Sequence, residues 1–317
     1  MTEAAIYPAL IAFAIELVLC PILIPVLTRL KCGQYIREEG PQAHQKKAGT
    51  PTMGGIIIVA AMVIASAFFV RSYPEMLPVL LVTVGFGLVG LTDDFLKVVL
   101  KHTEGLKPLP KFALQFLISA LFAFYLYKAE YPTTVVFHIF GGWSLDLGWF
   151  FYVFVVLVMT AFVNGVNFTD GLDGLAASVT VIIAAFFAVV SWGQNSSMVP
   201  VASAAAGSLL GFLLFNTYPA KVFMGDTGSL ALGGFVTAMA FVLKMPLILL
   251  IVGFVYVAEV LSVMLQVAYF KATKGKRLFR MAPIHHHFEL GGWKETKVVA
   301  VFSIVTAMLC LVGFLLV

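Results

Sequence analysis

Asn164-Gly165-Val166-Asn167-Phe168-Thr169-Asp170-Gly171-Leu172-Asp173-Gly174 stands between two apolar, uncharged runs, 149–163 and 175–190. Two amides and two carboxylates therefore sit where one membrane-length segment hands over to the next. Carboxylates beside hydrocarbon are costly, and their usual occupation is an ion, a proton path or a substrate. The glycines let the backbone turn tightly and approach a ligand, and Asn-Gly and Asp-Gly are turn signals. The bland alternative is a polar turn that happens to carry acids. On either reading the stretch fixes the architecture: helices that cross a bilayer, with the polar chemistry at their ends.

Composition agrees. With 61% hydrophobic and 11% charged residues over 317 positions and a mean hydropathy of +1.01, a soluble globular domain is excluded, since its charged share is ordinarily about 25%. Cys20, Cys32 and Cys310 are scattered and suggest neither a disulfide framework nor a metal knuckle. The chain start has no basic n-region and the run behind it no small-residue cleavage site, so a retained first helix is expected. Runs able to cross about 30 Å of hydrocarbon at about 1.5 Å per residue fall at 6–29, 53–70, 76–99, 111–129, 148–165, 174–192, 199–216, 228–243, 246–270 and 297–317. The prediction is an all-α, polytopic membrane protein of about ten helices, forming one catalytic domain over 1–317.

Placing the N-terminus outside leaves only Arg71, Lys128 and Lys244 of the 20 Lys and Arg in outer connections. Both termini are then outside, and the net charge of +4 is a sidedness signal that calls for no nucleic acid. Lys31, Arg37, Lys46, Lys101 and Lys111 are among the inner basic residues. The longest outer connection, 131–148, alternates apolar residues around Gly141-Gly142 and predicts a small β-hairpin.

The odd-numbered helices deliver their ends to the inner side, and each end carries unusual polar residues. In Leu91-Thr92-Asp93-Asp94-Phe95-Leu96-Lys97, helical spacing crowds Asp93, Asp94 and Lys97 on one side. Adjacent half-buried carboxylates repel unless a cation or shared proton joins them, and hard oxygen ligands of this kind suit Mg²⁺ held together with substrate phosphates. An interfacial ion pair with a bystander acid is the plain alternative. Further on, Pro219 ends a helix, and Gly225-Asp226-Thr227-Gly228-Ser229 makes a turn in which Asp226 could simply cap the next one.

The first inner loop, Lys46-Lys47-Ala48-Gly49-Thr50-Pro51-Thr52-Met53-Gly54-Gly55, could bind an anion at a helix start. Basic residues there more often anchor a helix or meet anionic lipid. Glu16, Glu259 and Gln266 are stranded in apolar runs and read as polar contacts within the bundle, with Gln266 alone expected near a site. His285, His286 and His287 are consecutive, lack an i,i+4 partner and cannot converge on one zinc ion. They suit hydrogen-bond donation to phosphate or proton carriage.

One membrane face thus gathers Asp93, Asp94, Asp170, Asp173 and Asp226 with Asn164, Asn167, Asn216, several lysines and three histidines. That set suits a Mg²⁺-held diphosphate attacked by an amphiphile whose tail stays in lipid, because phosphoryl transfer asks mainly for positioning and charge neutralisation.

The stretches 91–97, Asn164-x-x-Asn167-x-x-Asp170-Gly171-x-Asp173-Gly174-Leu175, Phe223-Met224-Gly225-Asp226-Thr227-Gly228-Ser229 and Pro283-Ile284-His285-His286-His287-Phe288-Glu289 resemble the motif set of the polyprenyl-phosphate N-acetylhexosamine-1-phosphate transferase superfamily. With Gly49-Thr50-Pro51-Thr52-Met53-Gly54-Gly55, the His trio is similar to the bacterial branch that handles phospho-MurNAc-pentapeptide. The resemblance runs across nearly the whole chain. It implies transfer from UDP-MurNAc-pentapeptide to undecaprenyl phosphate, giving lipid I and UMP for peptidoglycan. It also implies a Mg²⁺ requirement and a homodimer in the plasma membrane, with the active site on the cytoplasmic face.

Residue by residue, the resemblance makes Asp226 the expected Mg²⁺ ligand, with Asp93 and Asp94 beside it and one of that pair, more often Asp93, deprotonating the lipid phosphate. Lys47, Asp170, Gly171, Leu172, Asp173, Asn216 and Phe223 would line the uridine side, and Lys97, Asn167, His285 and His286 would attend the phosphates and sugar. Thr52, Asn164, Gln266 and His287 complete the expected substrate contacts. A sister transferase using UDP-GlcNAc would share the Asp and Asn motifs but differ in the His-trio loop. A transporter of lipid-linked sugar would carry polar residues through the midplane to the far side; here they stop at one surface.

Overall fold

The computed structural model describes residues 2–29, 47, 49–100, 105–137 and 142–317. Lys31, Cys32, Arg37, Lys46, Ala48, Lys101 and positions 138–141, used above, lie outside the described residues. The apolar runs become α1 (Thr2–Arg29), α2 (Gly55–Ala67), α3 (Leu77–Val98), α4 (Pro108–Lys128), α5 (Phe150–Thr169), α6 (Leu175–Gly193), α7 (Val199–Asn216) and α8 (Gly225–Val242). A one-turn α9 (Leu249–Val252), α10 (Phe254–Ala272), a short α11 (Ile284–Glu289) and α12 (Glu295–Phe314) follow. Among the described residues, nine helices are long and apolar enough to cross a membrane, and α2 is a shorter apolar helix. The predicted ninth run, 246–270, is not continuous: it breaks at Gly253, between α9 and α10.

The expected hairpin forms between α4 and α5, as β1 (Thr134–Phe137) antiparallel to β2 (Trp143–Asp146), with Thr134 opposite Asp146 and Phe137 opposite Trp143.

The bundle is arranged around α8, whose residues from Thr227 to Val242 are all buried, against α3, α5, α2 and α6. The peripheral helices behave oppositely. In the most apolar stretch of α8, 83% of residues are buried, against 22% in α1 and in α10. Leu10 and Ile22 of α1, Leu261 and Met264 of α10, and Ile304 and Met308 of α12 are exposed. Such a surface would be a liability in water but is the proper contact with lipid, where only closed backbone hydrogen bonding is demanded. Glu16 is a polar contact inside the bundle, as expected. It accepts from Ser208 Oγ of α7 at 2.7 Å and from Cys20 Sγ at 3.2 Å.

Candidate active site

The site starts from a close approach of two helices. A Cβ on Gly90 of α3 would lie 2.1 Å from the carbonyl oxygen of Asp226 on α8, so only glycine lets the backbones meet there. One turn further along α3, Asp94 reaches the start of α8. Its Oδ1 accepts the Asp226 N–H at 3.1 Å, and its Oδ2 accepts the Thr227 N–H at 2.9 Å and the Thr227 hydroxyl at 2.6 Å. First-turn N–H groups lack intrahelical acceptors and favour negative charge, so Asp94 caps α8 from a neighbouring helix. Two expectations are corrected as a result. Helix α8 begins at Gly225 rather than 228, with Asp226 inside its first turn and not its cap, and Asp94 turns away from Lys97 instead of crowding beside it.

Asp93 faces the other way. The Lys97 ammonium lies 2.8 Å from both Asp93 Oδ2 and Asp226 Oδ2, and the Lys111 ammonium, from α4, makes the same two contacts at 2.8 Å. Asp93 Oδ1 accepts the Leu106 N–H at 2.6 Å. Asp226 Oδ1 accepts from Asn167 Nδ2 at 2.7 Å, and that nitrogen also lies 2.8 Å from Ser229 Oγ. Helices α3, α4, α5 and α8 therefore converge on two carboxylates that would repel one another without the shared cations. Lys111 was counted in the sequence only as a basic loop residue. Its signal was positional: a cation in the first turn of a helix opposes the helix dipole and calls for an acid from elsewhere.

Asp170, half-buried just past α5, accepts a backbone hydrogen bond from Gly225. Burial, then the Asp226 and Asp94 carboxylates, push its carboxyl well above the usual range.

Three loops are pinned beside this cluster. Lys47 Nζ lies 2.6 Å from Asp173 Oδ1 and 2.6 Å from Glu295 Oε1. Glu295 Oε1 also accepts the Asp173 N–H, and Asp173 Oδ2 accepts the Ala220 N–H at 2.9 Å. Asn216 donates to the Val222 carbonyl at 2.9 Å, the Phe223 N–H donates to Pro51, and the Phe223 carbonyl accepts from Gly54. Leu172 and Thr52 are buried, and the Thr52 hydroxyl lies with Asp94 Oδ2 against Gly225. Sequence reasoning missed Glu295, because an acid in the first turn of a helix is ordinary.

Each histidine of the trio has its own partner, and they do not converge. His285 is fully buried, with Nδ1 3.1 Å from Glu259 Oε1, and its Nε2 sits 2.3 Å from where a Cβ on Gly171 would be. His286 Nδ1 is 2.8 Å from Glu289 Oε2, and His287 Nδ1 accepts the Arg280 N–H at 3.1 Å. Gln266 accepts the Phe279 N–H at 2.8 Å and so holds the loop before α11. Glu259, expected only inside the bundle, is joined to the Asp170–Gly171 turn through His285. Asn164 lies one turn back from Asn167 and ties α5 to α4, donating to Gln115 Oε1 at 2.7 Å.

Residues 76–244 match glycosyl transferase family 4, so fold and site define a membrane-embedded glycosyl transferase. Residues 47–59 carry a phospho-N-acetylmuramoyl-pentapeptide-transferase signature. The chain is 52% identical over 311 residues to the phospho-N-acetylmuramoyl-pentapeptide-transferase of Acetivibrio thermocellus, covering 98% of this chain and 94% of that one. It is 51% identical over 313 residues to that of Clostridium novyi, covering 98% and 96%, and 49% identical over 305 residues to that of Caldicellulosiruptor bescii, covering 96% and 94%. It belongs to the phospho-N-acetylmuramoyl-pentapeptide-transferase family.

Proposed function

We propose that the chain transfers phospho-MurNAc-pentapeptide from UDP-MurNAc-pentapeptide to undecaprenyl phosphate, releasing UMP and forming lipid I. The observation that carries this reading is the Asp93–Asp226 pair spanned by the Lys97 and Lys111 ammoniums. It offers hard oxygens for a divalent ion and cations for phosphate in one place, which is most of what phosphoryl transfer needs.

The donor set fits Mg²⁺. Among the described residues no group of three or more His, Cys, Asp or Glu forms a metal cage, but Mg²⁺ characteristically takes one or two carboxylates and completes its shell with water and substrate phosphates. Asp226 and Asp93 would hold it, and when bound it neutralises charge on the diphosphate and the departing UMP. Asp94 belongs to the machinery by holding the start of α8, since both its oxygens already accept from Asp226 and Thr227. Asp93 accepts from two ammoniums and a backbone N–H, which fixes both its oxygens beside Asp226. It would anchor the ion beside Asp226. Lys97 and Lys111 draw the phosphates in, and Asn167 fixes the remaining oxygen of Asp226. The uridine rests on the loops of Lys47, Leu172, Asp173 and Phe223. Direct attack by the lipid phosphate fits the site, because among the described residues Ser229, the serine beside Asp226, donates to the Gly225 carbonyl and not to a base.

The excess of Lys and Arg in connections at this end supports a cytoplasmic site in the plasma membrane. Homodimerisation belongs to the same reading and is checked by the mass of the detergent-solubilised protein. The test is UMP release in detergent with Mg²⁺, undecaprenyl phosphate and either sugar nucleotide. Release is expected from UDP-MurNAc-pentapeptide, with none from Asp226→Ala although that variant still melts cooperatively. Preference for UDP-GlcNAc would move the chain to the sister activity, and full turnover by Asp226→Ala would remove that residue from the mechanism.

A further inference from the structure

We infer that Glu295 determines specificity on the uridine side: by neutralising Lys47 it makes that subsite take the neutral carbonyl of a pyrimidine and refuse a phosphate. The inference rests on the proposed function and assigns a task to a residue outside the motifs. Two ion clusters lie along the site. At the Asp93–Asp226 end, two ammoniums each bridge two carboxylates, with Asp94 and Asp170 close by. At the other end one ammonium faces two carboxylates, at 2.6 Å each, and the cluster carries a net negative charge. The side chains of Lys47, Asp173 and Glu295 are only 14%, 3% and 11% exposed, so water screens this charge weakly.

Two ammoniums thus stand where a diphosphate would lie, and one, already held by two carboxylates, where the uncharged base would lie. An ammonium donates three hydrogens. Among the described residues two are directed at Asp173 and Glu295, so the third is the one a ligand acceptor would meet, and the two carboxylates make a carbonyl acceptable there and an anion costly.

Glu295 is also the geometric keystone. A single oxygen, Oε1, accepts from the Lys47 ammonium and from the Asp173 N–H, and so fixes the ammonium relative to the 171–174 turn. It projects from the first turn of α12, which packs on α6, the helix that continues from that turn. Without Glu295, Lys47 and Asp173 form a neutral pair, Lys47 gains freedom, and the subsite no longer opposes phosphate.

The test compares Glu295→Gln, which keeps size and acceptor but loses the charge, with Glu295→Asp, which keeps the charge. In Glu295→Gln the inhibition constants of uridine and UMP should rise together by about tenfold, the loss of one charged hydrogen-bonding partner. The loss on the UDP substrate should fall on KM rather than kcat, inorganic pyrophosphate should inhibit more strongly, and Glu295→Asp should restore most uridine binding. Uridine inhibiting Glu295→Gln as well as it inhibits the wild type would overturn the inference. So would a variant that melts earlier and loses kcat with its uridine and UMP constants unchanged, which is what a purely structural tie would give. A wild-type protein that releases no UMP would sink the proposed function itself, a separate result.

Discussion

Lys111 shows how one side chain links folding to chemistry. It is largely buried, and its ammonium serves two acids on different helices. Replacing it by Met leaves Asp93 and Asp226 sharing Lys97 alone, and Lys97 is more than a third exposed. Removing one partner of a buried ion cluster strands charge, so Lys111→Met should lose on the order of 2 kcal/mol of stability in EDTA-treated detergent, read by thermal melting. UMP release should fall at least about 100-fold, with Lys111→Arg intermediate. Asp170 predicts the opposite sign. Its carboxyl is raised above the unfolded value by burial and by Asp226 and Asp94, so its favourable contribution is complete below about pH 4 and is lost as pH rises through the folded value. At pH 7.5 without Mg²⁺, Asp170→Asn should therefore melt above the wild type, and the gap should close toward pH 4 as the native carboxyl takes up its proton. A variant that melts lower at pH 7.5 would show that the ionised carboxylate is stabilising.

Helices α3 and α8 meet through Gly90, where an added Cβ would lie 2.1 Å from the Asp226 carbonyl. Five residues earlier on α3, a Cβ on Gly85 would meet Ile118 at 3.5 Å, ordinary contact. Ala is the better helix former at both positions by about 1 kcal/mol, so space alone separates them. Gly90→Ala should cost about 1–3 kcal/mol through overpacking and remove most activity, because it pushes Asp94 off the start of α8 and Asp93 away from Asp226. Gly85→Ala should be neutral or stabilising. Melting curves and UMP release on the two variants test the claim together, and equal behaviour would show that the helix contact does not position the acids.

For the molecule as a whole, the passes alternate so that the ends of α3, α5 and α7 and the starts of α4, α6, α8 and α12 share one side, with the hairpin at the other. On the proposed reading, the distribution of Lys and Arg puts the first side in the cytoplasm. In a cysteine-free background, Lys274→Cys should react with a membrane-impermeant maleimide only in inverted vesicles, and Trp143→Cys only in right-side-out ones; both parent residues are exposed. Labelling from the same side would contradict the alternation, and labelling in the reversed pattern would put the site outside.

The sequence by itself determined that the chain is a membrane bundle, where most of its helices run, that a hairpin joins α4 to α5, and which stretches bring acids and amides to one end of the bundle. Those signals are local: hydropathy over the length of a bilayer, turn residues, and acids beside hydrocarbon. It also marked Asp93, Asp94 and Asp226 as a group but could not apportion them. Only the tertiary structure decided that Asp94 caps α8 while Asp93 faces Asp226, that Lys111 and Glu295 complete two separate ion clusters, and that His285 reaches Glu259 and not a ligand common to the trio. Which partner a carboxylate finds depends on how closely two helix backbones approach and which way each side chain then points. That is settled by packing between segments from 18 residues apart, for Lys111 and Asp93, to 248 apart, for Lys47 and Glu295, and no local pattern records it.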